Sequence, residues 1–256
     1  MSDGTVHFTT VDGIASVVFD RPEARNAMTW AMYDQLLVAC RSIAANPEVR
    51  VVTFRGTGGA FAAGTDIREF LPFSSAEDGI AYEQRIEAAV SAIENLRVPT
   101  IAIIDGAAMG GGLVIATGCD FRIATPSACF GVPIARTLGN CLSLANTARL
   151  VAVFGPARVK RLLLLADSIS SEEAFSCGYV VEVVQPEAMD ELVGKMCRRL
   201  GSHAPITMQV AKESIRRLAK ISLQGDDLIR AAYGSNDFKA GVRAFLAKQR
   251  PQWTGE

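Results

Sequence analysis

The 256-residue sequence predicts an α/β fold that ends in a helical region. Three observations predict it. Val51 to Arg55 (VVTFR) and Ile101 to Ile104 (IAII) are short β-branched runs of the kind that a sheet buries. Each run gives way to glycines and alanines, and the second then meets an apolar segment, Leu113 to Thr117, that reads as a buried helix. From about Ala204 to near Lys248 the pattern is helical, and Pro205 suits a first helical position.

Composition narrows the function. The 26 basic and 27 acidic residues leave a net charge of −1, so no basic footprint invites nucleic acid. No apolar run reaches the roughly 18 residues of a membrane span. The N-terminus lacks the charged-then-apolar layout of a signal peptide, so a cytoplasmic protein without a membrane partner is expected. The six cysteines form no C-x-x-C pair, which predicts reduced thiols and no metal site. His7 and His203 have no metal-ligand or triad context.

The elements follow in order. Asp12-Gly13 between two alternating runs, Val6 to Thr10 and Ile14 to Phe19, marks a hairpin. Arg21-Pro22 stops the second strand, and Thr29 caps a helix running to about Ala45. Gly56-Thr57-Gly58 after the next strand raises a dinucleotide-binding alternative. That fingerprint needs a third glycine at position 61, where Phe61 stands. Asp66 reads as the cap of a helix beginning near Ile67. Leu71 to Asp78 is a polar break, and Ile80 to Leu96 an amphipathic helix. Its Glu83 and Glu87 read as a solvated face, the alternative being a carboxylate turned into a pocket.

Gly110, Gly111 and Gly112 serve one of two ends. They allow tight helix-on-sheet packing, or they leave the first helical N–H groups free for an anion or a developing oxyanion. Beyond them, Phe121 to Ala124 and Ala128 to Phe130 read as strands. Thr147 to Phe154, Ala157 to Leu165 and a segment starting at Ser171 read as helices. Gly178 to Val181 reads as a return to strand.

The string AFAAGTDIREF, followed by IDGAAMGGGLVIATGCDFRIA, resembles the crotonase (enoyl-CoA hydratase/isomerase) family. FDRPEARNAM, Phe19 to Met28, is similar to its N-terminal CoA-binding signature, and FKAGVRAFLAKQRPQW, Phe238 to Trp253, to its C-terminal signature. The resemblance implies a spiral of repeated β-β-α units over residues 1–203 and a helical oligomerisation region over 204–256. It implies an acyl-CoA thioester as ligand, coenzyme A entering as part of the substrate with no separate cofactor, and a homotrimer or homohexamer.

It also implies a site. The backbone N–H groups of Ala63 and Gly111 are the expected oxyanion donors. Glu23, Ala24, Arg25 and Ala27 fall in the nucleotide loop. Ala62, Gly64, Thr65, Asp66, Ile67, Gly110, Val114 and Ile134 surround the thioester, and residues near 71–78 form a flap over the acyl chain. Lys248 matches a basic residue that approaches CoA phosphates. The best-known hydratases use two glutamates for proton transfer. Here their positions hold Val114 and Ile134, with no acid between Phe130 and Asn140. A positioned general acid or base contributes about 10²–10⁴-fold, and an aliphatic side chain cannot replace it. Arg136, Thr137, Asn140 and Cys141 occupy the second glutamate's loop. Arg136 suits an acidic acyl group, and Cys141 is a nucleophile only with a lowered pKa. Two readings stay open. One is an enzyme of this family, hydratase or lyase chemistry leading by precedent, with a non-standard proton-transfer group. The other is a non-catalytic acyl-CoA-binding protein.

Overall fold

The computed structural model describes residues 3–219 and 226–252. Two strands, β1 (Thr5–Val11) and β2 (Ile14–Asp20), pair as the expected antiparallel hairpin, with Val11 opposite Ile14. The Thr29 hydroxyl accepts from Met32 N at 3.3 Å and starts α1 (Trp30–Ala45) where the sequence places it. Such a cap contributes about 1 kcal/mol.

A repeating unit then begins. Strands β3 (Val51–Gly56) and β4 (Ala60–Ala62) precede α2 (Ala76–Glu94). β5 (Thr100–Ile104) and β6 (Ala107–Met109) precede α3 (Gly111–Thr117). β7 (Phe121–Ala124) and β8 (Cys129–Gly131) precede the short α4 (Ile134–Thr137). The first strand of each unit joins one sheet and the second joins another, which makes the spiral. With β9 (Ser168–Ser170) and β10 (Glu182–Val183), the sheets have the orders β1-β2-β3-β5-β7-β10 and β4-β6-β8-β9. Pairing is parallel apart from β1 with β2 and β8 with β9.

Every residue of β5 is buried, as a parallel strand covered on both faces requires. One face carries the main core, which includes Phe19, Met32, Leu36, Phe54, Ile86, Val90 and Leu113. The other carries Val51, Ile101, Ile103 and Ile123 under Met189, Cys197 and Leu200 of α7 (Pro186–Gly201). The sequence reading assigned no element to residues 186–201. Full burial of one such aliphatic side chain is worth about 1.5–3 kcal/mol, so α7 is integral to the sheet.

Several boundaries move. α2 begins at Ala76 rather than Ile80, because Asp78 Oδ2 accepts Ser75 N at 2.8 Å in a capping box. The helical stretches predicted on either side of Gly155 form α5 (Leu144–Lys160), kinked where Gly155 takes φ 75° and ψ 159° before Pro156. A π-helical turn, Arg161–Leu165, continues it. α6 (Ser171–Ser176) starts as expected, but the return strand lies at Glu182–Val183. Among the described residues, the C-terminal region holds the helices α8 (Pro205–Ala219), α9 (Asp226–Tyr233) and α10 (Asn236–Leu246). Residues 220–225, inside the predicted helical run, and Trp253 of the C-terminal signature lie outside the described residues. Among the described residues, no helix is long and apolar enough to cross a membrane.

Candidate active site

The site forms where β4 and β6 end. Met109 leads into Gly110, whose φ of 48° and ψ of −119° suit glycine, and whose N–H donates to Gly131 O at 2.8 Å. Gly111 opens α3. Its N–H stands in the first helical turn, donates to no acceptor among the described residues, and lies at the positive end of the helix. Gly112 meets the packing need: a Cβ there would stand 2.2 Å from Ala62 O. The glycine triplet thus serves close packing at Gly112 and leaves a donor at Gly111.

The second donor differs from the expected one. Ala63 N donates to Arg25 O at 3.0 Å and is therefore engaged. Gly64, with φ 102°, turns the chain, and the next N–H, that of Thr65, has no acceptor among the described residues. A Cβ on Gly111 would lie 3.8 Å from Thr65 N, and one on Gly64 would lie 3.8 Å from Gly111 N. The two free donors are therefore neighbours on separate segments. The bridge of Met28 with Thr65 fixes this segment, through Met28 N to Gly64 O at 2.8 Å and Asp66 N to Met28 O at 2.9 Å.

The loop before α1 is bolted to the same place. Glu23 and Arg25 are exposed, while Ala24 and Ala27 are half-buried. Asn26, fully buried, donates to Thr57 O and Ala60 O at 2.8 Å each. Arg21, also buried, donates to Ala27 O at 2.8 Å and pairs with Asp66 at 2.8 Å. Asp66 caps the 3₁₀ turn Ile67–Phe70 as expected, accepting from Arg68 N at 3.0 Å. Burial opposes its ionisation, but the hydrogen bonds of Arg68 and Arg21 prevail and hold its pKa at about 2. Nothing in the local sequence marks Arg21 as a buried partner.

A buried hydroxyl cluster backs the donors. Thr65 Oγ1 lies 2.9 Å from Tyr33 Oη and 3.0 Å from Tyr82 Oη. Tyr82 also joins an aromatic wall with Phe70, Phe73, Tyr233 and Phe238. Phe73 belongs to the segment read as a flap, and it packs against this wall.

The two helix glutamates separate. Glu87 pairs with Arg149, which also holds Glu94 at 2.7 Å. Glu83 overturns the solvated-face reading, being 3% exposed. Its Oε2 accepts Ser143 N at 2.8 Å and its Oε1 accepts the Tyr233 hydroxyl at 3.1 Å. Burial pushes its pKa up to about 7, against the opposing pull of those hydrogen bonds. Helical periodicity alone missed this, because the face it occupies is covered by α9, which comes 150 residues later in the chain.

The remaining candidates are less engaged. Val114 is fully buried in α3, Ile134 opens α4, and Ile67 is half-buried against the core. Arg136 and Lys248 are exposed, Lys248 with φ 54° just after α10. Burial and the nearby Glu83 charge push the Cys141 thiol up to about 12, which removes its case as a nucleophile. Among the described residues, no group of histidines, cysteines and carboxylates is arranged to hold a metal.

Comparison with known proteins agrees with this architecture. The enoyl-CoA hydratase/isomerase family model matches residues 9–256. The mitochondrial enoyl-CoA hydratase domain-containing protein 2 of Bos taurus is 34% identical, over 95% of this chain and 85% of its own. The crotonyl-CoA hydratase of Syntrophomonas wolfei is 32% identical over 93% of both chains. A crystal structure of methylmalonyl-CoA decarboxylase complexed with 2S-carboxypropyl-CoA superposes with a TM-score of 0.89, at 27% identity and full coverage of both chains. The protein belongs to the enoyl-CoA hydratase/isomerase, or crotonase, family.

Proposed function

We propose that this protein is an acyl-CoA enzyme that holds a thioester enolate between the N–H groups of Thr65 and Gly111. The carrying observation is that these two donors are adjacent, come from different segments, and lack acceptors among the described residues. A thioester oxygen that accepts both gains negative charge as the enolate forms. One such donor typically contributes about 2.7–4 kcal/mol to the transition state. The loop from Glu23 to Ala27 takes the CoA nucleotide, with Arg25 and Lys248 placed in solvent for phosphates. The relatives named for hydratase activity and the CoA-bound decarboxylase support this ligand class.

Within that class the reading is hydration, a lyase reaction, carried out in the cytoplasm by a homotrimer or a dimer of trimers assembled through residues 204–256. Isomerase, hydrolase and decarboxylase chemistry share the same enolate. A non-catalytic acyl-CoA binder is the second reading, favoured by Val114 and Ile134 where the resemblance expects carboxylates.

The test is turnover of short and medium enoyl-CoA, followed by the ultraviolet absorbance of the conjugated thioester, with CoA binding measured alongside. Loss of absorbance with hydroxyacyl-CoA as product supports hydration. Binding without any change supports the binder. Absence of CoA binding overturns both.

A further inference from the structure

We propose that Glu83 is the acid–base residue of this site, taking the proton from the acyl carbon next to the thioester, and that Tyr233 is its positioning residue. This rests on the reading of Thr65 and Gly111 as the enolate donors.

Placement is the first support. Two contacts fix α2 and α3 as neighbours running in the same direction. Tyr82 bonds the Thr65 hydroxyl beside Gly111, at the start of α3, and Val90 meets Gly118 at its end. Glu83 follows Tyr82 directly, so its turn of α2 lies at the oxyanion end. The position that the resemblance assigns to a glutamate, Val114, lies on the α3 turn that begins there.

Chemistry is the second. Glu83 is the one buried carboxylate among the described residues, and it forms no ion pair there. Glu87, one turn along, is neutralised by Arg149. A buried acid without a cation opposes folding, so its retention calls for a use. The fold supports it in detail. Gly79 admits the Tyr233 ring, which a Cβ would meet at 2.2 Å, and Asn140 Nδ2 donates to the Tyr233 oxygen at 3.1 Å. Beside this array, Asn140 Oδ1 is buried with no hydrogen-bond partner among the described residues, and the Asn146 side chain faces the Glu83 carboxylate and favours its ionised form. The titratable groups facing Glu83 are Tyr33 from α1, Tyr82 on its own helix, Cys141 before α5 and Tyr233 from α9. Arg149 of α5 is committed to Glu87 and Glu94, and α3 presents none. The remaining ionisable group nearby is thus the carboxylate itself.

In the step, the Glu83 carboxylate takes the α-proton. The C–H electron pair becomes the new C–C double bond, and the carbonyl π pair moves to the oxygen held by Thr65 and Gly111. Return of the proton regenerates the thioester. In deuterium oxide, exchange of the carboxyl proton with solvent labels the α-carbon.

The experiment incubates butyryl-CoA with the full-length protein in deuterium oxide and follows α-hydrogen exchange by NMR over the pH range around neutrality. Butyryl-CoA binding and melting are recorded for each variant. The wild type exchanges, with a rate that rises through about pH 7 as the base ionises. Glu83→Gln binds but exchanges at least about 100-fold more slowly. Tyr233→Phe still exchanges, with its midpoint moved upward because the carboxylate has lost a donor. Wild-type exchange in Glu83→Gln, or an unmoved midpoint in Tyr233→Phe, overturns the proposal. So does a wild type that binds butyryl-CoA without exchanging it. A wild type that does not bind overturns the proposed function itself.

Discussion

The Arg21 guanidinium lies 2.8 Å from Asp66 Oδ2, with the arginine side chain fully buried. This pair joins the loop after β2 to the segment that carries Thr65. Asp66→Asn removes the carboxylate that pairs with the buried arginine, and breaking such a buried pair costs about 3–5 kcal/mol. Urea unfolding of the variant checks it. The same pair sets an acid limit. The Asp66 pKa is depressed in the folded state, so its contribution is complete above the unfolded value of about 4 and is lost as pH falls toward about 2.

Glu83 has the opposite sign. Its folded pKa of about 7 exceeds the unfolded value of about 4.3, so the folded state holds the proton more tightly. Its contribution is complete below about pH 4 and is lost as pH rises through about 7. Glu83→Gln, neutral at every pH, therefore becomes more stable than the wild type above neutrality, by up to about 4 kcal/mol, and loses that advantage in acid. Unfolding free energies of both proteins at several pH values check this.

Gly111 leaves room for Tyr33. A Cβ at position 111 would lie 2.8 Å from the Tyr33 hydroxyl oxygen, closer than any ordinary contact. Gly111→Ala shifts α3 or the tyrosine and lowers turnover or exchange at least about tenfold, since a small displacement of a donor is costly. Tyr33→Phe in the same chain removes the oxygen and recovers part of the loss. A double-mutant cycle on rate measures the coupling.

Thr65→Val keeps the N–H and removes the hydroxyl shared by Tyr33 and Tyr82. Both phenols lose a buried partner, at about 1–3 kcal/mol for an unsatisfied group. Stability drops by that amount in thermal or urea unfolding while CoA binding is retained.

α8 presents Ile206 and Ile215, 73% and 69% exposed, together with Val210. The homotrimer proposed above would cover them. On that proposal, Ile206→Glu with Val210→Glu is expected to dissociate it, seen as a fall in mass by light scattering.

The elements legible in the sequence were those set by local rules. Asp12-Gly13 fixed a hairpin, Thr29 capped α1, and β-branched runs marked β3 and β5. α2 was misplaced at its start because Ser75 and Asp78 look like loop residues until their reciprocal bonds form. Residues 186–201 gave no reading, although Met189, Cys197 and Leu200 close the second face of the sheet.

By itself, the sequence determined the family resemblance, the two glycine-rich handovers and the absence of acids at 114 and 134. These depend on residue identity along a short stretch of chain. Tertiary structure alone decided which N–H groups are free, because Ala63 is engaged by the Arg25 carbonyl while Thr65 is turned clear of every described acceptor. It alone decided the state of Glu83 as well. A glutamate on a helix is solvated or buried according to what packs over it, and here Tyr233 and Ser143 arrive from distant parts of the chain to cover it.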